Sequence, residues 1–153
     1  MFVGSHERQL DDRGRVALPP QFRSTIGEQC FLTFGEDGCV RLRGADAFRN
    51  AADDVNRELR EGRISRSRQR AFFASTVQAA LDKQGRVLVE QKLRDHAGLA
   101  PQEPVVLIGV WDVIELWHPE RYADEESVGQ RQINDDELVG AAGVAAAAGG
   151  GAS

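Results

Sequence analysis

A segment of eighteen residues recurs in this chain in a related form. Shifted by 71 positions, residues 10–27 (LDDRGRVALPPQFRSTIG) lie over residues 81–98 (LDKQGRVLVEQKLRDHAG). The copies agree at seven places: Leu10/Leu81, Asp11/Asp82, Gly14/Gly85, Arg15/Arg86, Val16/Val87, Arg23/Arg94 and Gly27/Gly98. Three further positions of shift place FLTFGEDGCVRL (residues 31–42) over VVLIGVWDVIEL (residues 105–116), with Gly35 on Gly109. An internal repeat of this order constrains architecture more than any local signal, because each copy must be one supersecondary unit. Units of about forty to fifty residues bury too little surface to be stable alone, so two of them are expected to share a core, to associate, or both.

Each copy reads the same way. A short strand ends in a polar Asp-x-x-Gly turn, and a second strand follows at residues 15–18 or 86–89. A short amphipathic helix is expected at residues 20–26 or 90–97, with Gly27 and Gly98 as left-handed caps. A hairpin then returns, residues 30–34 with 39–42 and residues 105–109 with 113–117. Between the copies Phe48, Ala51, Ala52, Val55 and Leu59 recur at helical spacing, and Gly62 can end that helix. A second helix is expected over residues 65–75. The expectation is an α+β chain of tandem β-α-β-β units: a first unit at 5–50, a helical connector at 51–75, a second unit at 76–123, and a tail at 124–153. That tail closes on GAAGVAAAAGGGAS and is expected to stay without regular structure.

Charge bounds the partners. The chain carries 19 Lys+Arg against 24 Asp+Glu, a net −5. Six of the acids (Asp124, Glu125, Glu126, Asp135, Asp136, Glu137) lie in the tail against Arg131 alone, so the part that precedes it is balanced at 18 of each sign. Its cations are nearly all arginine; Lys83 and Lys92 are the lysines. Guanidinium suits planar, bidentate contact with phosphate or a guanine edge. No apolar stretch in the sequence is long enough to cross a bilayer, and the opening MFVGSHERQLDDRGR lacks the apolar segment of a secretory signal. A cytoplasmic chain with Cys30 and Cys39 reduced is the expectation. Three histidines without ligand-like spacing and no C-x-x-C predict no metal and no cofactor.

The repeated Asp-x-x-Gly-Arg segment carries the functional argument. Asp11 can accept from backbone N–H groups of the turn, and Gly14 can take positive φ without steric cost. Arg15 then opens the outgoing strand, where Asp11, four residues back, can hold its guanidinium. Asp82, Gly85 and Arg86 repeat the arrangement, with Lys83 added. One such segment alone reads as a common hairpin turn with a surface ion pair. Fold constraint accounts for a repeated glycine; a repeated exposed arginine asks for another reason.

LDDRGRVALPPQFR and LDKQGRVLVEQKLR resemble the looped-hinge strand–turn–helix of AbrB-type DNA-binding domains. The whole order, an MF-x-G start, LDDRGR-V-x-LP, FGEDGC, AFFAS, LDKQGR-V-L and W-x-x-IELW, is similar to the MraZ family of bacterial transcriptional regulators, over residues 1–122. The resemblance implies two AbrB-like halves forming a pseudo-symmetric small barrel. It also implies a cytoplasmic, nucleoid-associated repressor that assembles into homo-oligomeric rings. Such a repressor would bind direct repeats in double-stranded DNA upstream of its own gene and of the division and cell-wall gene cluster. Carried over by position, the DNA-facing residues are Arg13, Arg15, Lys83 and Arg86, oriented by Asp11 and Asp82 over the turn glycines Gly14 and Gly85. Two places depart from the family pattern: Val89-Glu90 replaces Ile-Pro, and Gln84 stands where a basic residue is expected.

Other features read more plainly. Arg57, Arg60, Arg63, Arg66, Arg68 and Arg70, with Glu58 and Glu61 between them, form a solvated linker face. Cys30 and Cys39 read as buried, inert thiols. Trp111, Trp117 and Phe31 read as core or subunit-contact residues. No G-x-S-x-G, H-E-x-x-H, P-loop or dinucleotide fingerprint occurs, so neither enzymatic activity nor a small-molecule substrate is expected. The alternative to DNA is an antitoxin-like interaction protein of the AbrB fold that binds a partner protein.

Overall fold

The computed structural model describes residues 1–151, and side chains through residue 136. It is an α+β chain with the order β1 (Phe2–Gln9), β2 (Arg15–Ala17), α1 (Pro20–Ile26), β3 (Gln29–Phe34), a 3-10 turn (Glu36–Gly38), β4 (Val40–Gly44), α2 (Ala45–Arg60), α3 (Arg66–Ser75), β5 (Val77–Ala80), β6 (Arg86–Leu88), α4 (Gln91–Ala97), β7 (Pro104–Trp111), β8 (Val113–Trp117) and α5 (Pro119–Gly151). Two compact units result, one through Pro119 and one from Glu120.

The repeat is visible in the topology. Six strands form an antiparallel sheet in the order β1-β7-β8-β4-β3-β5, and β2 pairs with β6 in a separate two-stranded ribbon. Exchanging each strand for its repeat mate (β1 for β5, β3 for β7, β4 for β8) gives the same order read backwards, the signature of a pseudo-two-fold axis. The ribbon obeys it too. Its register is Arg15↔Leu88, Val16↔Val87 and Ala17↔Arg86, so the mates Val16 and Val87 face one another at the centre. The halves are interlocked, not placed side by side. β1 pairs along its length with β7 of the other half, and β5 pairs with β3. The sheet is open, with β1 and β5 at its edges.

Period-two burial explains the short strands. Val16 and Val87 are fully buried, while the residues on either side of them are not. They join Leu10, Leu18, Phe22, Val89 and Leu93 in one core drawn from both halves. Proline opens α1 at the position where a missing N–H costs nothing. Ser65 caps α3 by accepting from the Arg68 N–H at 3.1 Å. Phe31 of β3 stacks on Phe48 of α2 at 4.4 Å, and Phe48 on Phe72 of α3 at 6.1 Å, which seats the connector helices.

Several details differ from expectation. Gly98 is a left-handed cap (φ 67, ψ 30), whereas Gly27 combines φ 86 with ψ −175 and leaves α1 by an extended step. Of the tryptophans expected in the core or at a subunit contact, Trp117 is buried, and Trp111 stands 62% exposed at the β7–β8 turn with φ 67, outside the core. α5 takes in the stretch from Asp124 that composition predicts to lack regular structure; alanine is the best helix former, and that preference points the other way. The last two residues of the expected tail lie outside the described residues. Cys30 and Cys39 are buried free thiols whose pKa burial pushes up to about 11 and about 12, the latter helped by the Glu115 carboxylate. No helix among the described residues is long and apolar enough to cross a membrane.

Candidate nucleic-acid interface

The two Asp-x-x-Gly-Arg turns are built identically. In the first, Asp11 Oδ1 accepts from the backbone N–H of Arg13 at 2.9 Å and of Arg15 at 2.8 Å, and Oδ2 accepts from Arg15 Nε at 2.7 Å. In the second, Asp82 Oδ1 accepts from the N–H of Gln84 and of Arg86, each at 2.9 Å, and Oδ2 from Arg86 Nε at 2.8 Å. Backbone bonds close each turn: Gly14 N–H to Asp11 O at 3.1 Å, and Gly85 N–H to Asp82 O at 2.9 Å. Gly14 (φ 82) and Gly85 (φ 73) occupy conformations that side-chain-bearing residues rarely adopt.

The carboxylates are held in their charged form. Burial alone pulls Asp11 upward, but the Arg15 backbone N–H, its guanidinium and the Arg13 N–H outweigh it, and the pKa falls below its ordinary 3.8. For Asp82 the Arg86 backbone N–H is the largest influence, and with the Arg86 guanidinium and Gln84 N–H it overcomes burial in the same direction. Each carboxylate therefore fixes both the turn and the arginine that follows it.

Pairing of β2 with β6 makes one site out of two turns. Leu18 N–H donates to Gly85 O at 3.1 Å, and Val89 N–H to Gly14 O at 2.9 Å, so each turn is tied to the strand of the other half. Arg86 Nη1 also reaches Asp11 Oδ2 at 3.5 Å, across the pseudo-axis. Arg15, Arg86, Asp11 and Asp82 are thus half-buried in one cluster, with Arg13 and Lys83 exposed at the turn tips. All eight residues singled out in the sequence are brought together here.

Sequence reasoning gave no role to Arg23 and Arg94. Arg23, on α1, donates to Leu18 O at 3.1 Å and lies over Gly85 of the opposite turn; Arg94, on α4, donates to Val89 O at 2.6 Å and lies over Gly14. A Cβ at either glycine would run into that guanidinium. Their repetition at the same 71-residue shift was the signal. Three of the six linker arginines are engaged in ion pairs: Arg57 with Asp54 at 3.0 Å, Arg63 with Glu61 at 3.1 Å, and Arg68 with Glu36.

This paired, arginine-bearing ribbon falls within a family already described. Residues 1–69 and 72–137 each match the family whose description is "MraZ protein, putative antitoxin-like". The chain belongs to the MraZ family. The two matches divide the chain close to where the internal repeat does. The Transcriptional regulator MraZ of Bifidobacterium longum is 38% identical over 141 residues, covering 90% of this chain and 93% of that protein. The proteins of the same name from Finegoldia magna and a Nocardioides species are 33% and 35% identical, covering 91% and 86% of this chain and 94% and 90% of theirs. A solution structure of PHS018 from Pyrococcus horikoshii aligns with a TM-score of 0.33 at 16% identity, over 72% of this chain and 91% of that one, a likeness too slight to carry an argument. The MraZ relatives bear a regulator's name, not an enzyme's.

Proposed function

We propose that this chain is a sequence-specific, DNA-binding transcriptional regulator, acting as a repressor at direct repeats upstream of its own gene and of the division and cell-wall cluster. Its body is a tandem AbrB-like pair in which Arg13, Arg15, Lys83 and Arg86 meet the DNA, with Asp11 and Asp82 orienting the arginines. The observation that carries the reading is the β2–β6 ribbon, which sets two carboxylate-pinned arginines on one surface. A two-stranded ribbon fits the major groove, and arginine there reads the O6 and N7 of guanine or grips phosphate. Pre-ordering by Asp11 and Asp82 lowers the entropy lost on contact. The protein acts in the cytoplasm on the nucleoid, as a homo-oligomeric ring whose many turns add weak contacts through effective concentration.

The test is a gel shift with duplex DNA from upstream of the gene. Arg15→Ala and Arg86→Ala are each expected to weaken binding by roughly ten-fold, the lower part of the range for a lost bidentate contact, with unchanged elution on gel filtration. Affinity is expected to fall steeply with salt, because phosphate contacts release counterions. Wild-type binding by both variants sinks the site. The family's antitoxin-like description keeps one other partner in view, a protein; a toxin gene adjacent to this one, with no shift of upstream DNA, is the result that favours it.

A further inference from the structure

The outward face of the ribbon is not symmetric, and its odd member is Leu88. Four side chains alternate away from the buried Val16 and Val87: Arg15 and Ala17 on β2, Arg86 and Leu88 on β6. The register puts the two arginines on one diagonal of this face and Ala17 and Leu88 on the other. Leu88 borders Arg15 across the ribbon and Arg86 along its own strand, and it is 43% exposed. Its neighbours Val87 and Val89 are wholly buried, so the core is complete without it. Ala17, its mate about the pseudo-axis, has the same backbone setting with a single methyl, so the fold does not require a larger side chain at that place.

Scattered exposed leucines are ordinary. This one is distinguished by its neighbours, two guanidiniums held in place for an anionic or guanine-bearing ligand. The apolar group that a major groove offers to such a face is the 5-methyl of thymine. We infer that Leu88 is a specificity-determining residue that packs on a thymine methyl beside the bases or phosphates held by Arg15 and Arg86. This rests on the reading of the ribbon as a DNA-binding surface. Ala17 is too short to make the same contact, so the two ends of the ribbon differ in what they accept.

The experiment uses the full-length chain and a duplex that the wild type enriches from a random-sequence pool. That duplex is made once with thymine and once with uracil in its place, which removes the methyl and keeps the pairing edge. The wild type is expected to bind the uracil form about four-fold more weakly for each methyl that loses its contact, the effect of exposing one methyl-sized apolar group. Leu88→Ala is expected to abolish most of that ratio while keeping the assembly size of the wild type, and Ala17→Leu to increase it. Equal binding of both duplexes by the wild type, or an undiminished ratio in Leu88→Ala, overturns the inference and leaves the DNA-binding reading standing. A change of assembly size in Leu88→Ala gives the side chain to a subunit contact and likewise overturns it. If no duplex is enriched at all, the inference and the underlying reading fail together.

Discussion

Asp11 and Asp82 illustrate how far single residues could be read from spacing. An aspartate four residues before an arginine, with a glycine between, predicted both the turn and the ion pair, and both carboxylates sit where that chemistry placed them. Arg23 and Arg94 escaped because each acts on the turn of the opposite half, and nothing local reports a contact made across more than sixty residues. The same holds for the Arg86–Asp11 contact across the axis. The carboxylates also set a pH dependence. Their folded-state pKa values are depressed below 3.8, so their contribution to stability is present at neutral pH and is lost as pH falls below 3.8 through the folded value. Asp82→Asn keeps an acceptor for the two turn N–H groups but drops the charge that holds Arg86. Its melting temperature is expected to lie a few degrees below wild type at pH 7, with the gap closing as pH falls below 3.8. A gap that persists unchanged at acid pH would show that the charge is not what matters.

Elements were legible where they carried their own punctuation. α1 begins on Pro20 as expected, α2 covers the apolar spacing from Phe48 to Leu59, α3 starts one residue after its expected span begins, and α4 is one residue shorter than its expected span. β1, expected only as a short strand before the turn, is eight residues long. It runs from Phe2 because it borrows β7 as a partner, and FVGSHERQ has no apolar alternation to announce that pairing. The turn glycines act at this scale, since each joins two strands beneath an arginine from the far half. Gly85→Ala is expected to destabilise the fold by about 1–3 kcal/mol, through positive φ at a side-chain-bearing residue and collision with Arg23. Arg23 is the flexible end of that collision. The double variant Gly85→Ala/Arg23→Ala should therefore recover more than adding the two single losses implies, because the backbone strain remains and the clash does not. Strictly additive losses in chemical denaturation would mean that Arg23 already moves aside at no cost.

At the scale of the whole molecule, the repeat announced two units and could not say that they interlock. Pairing across halves is a long-range choice. The strand pattern of β3, for instance, fits β5 no better than it would fit a strand of its own half. The consequence is that a half-chain lacks most of what its strands need. Residues 1–62 retain the β3–β4 hairpin but lose β7 for β1, β6 for β2, β5 for β3 and β8 for β4. Their buried side chains, Val16 and Phe22 among them, lose the Val87, Val89 and Leu93 side of the common core. A hairpin with a few helices and an exposed apolar face is not stable in water on its own. Expressed alone, this half is expected to show no cooperative thermal transition as a monomer. Mixed with residues 63–153 after a break in the exposed turn that follows α2, it is expected to restore a one-to-one complex with the circular dichroism of the intact chain. The intact body should melt in a single transition, since no core belongs to one half only. A first half that melts cooperatively as a monomer would mean that each repeat closes on itself, and the ribbon that joins Arg15 to Arg86 would then be a docking contact between finished domains instead of the centre of one fold.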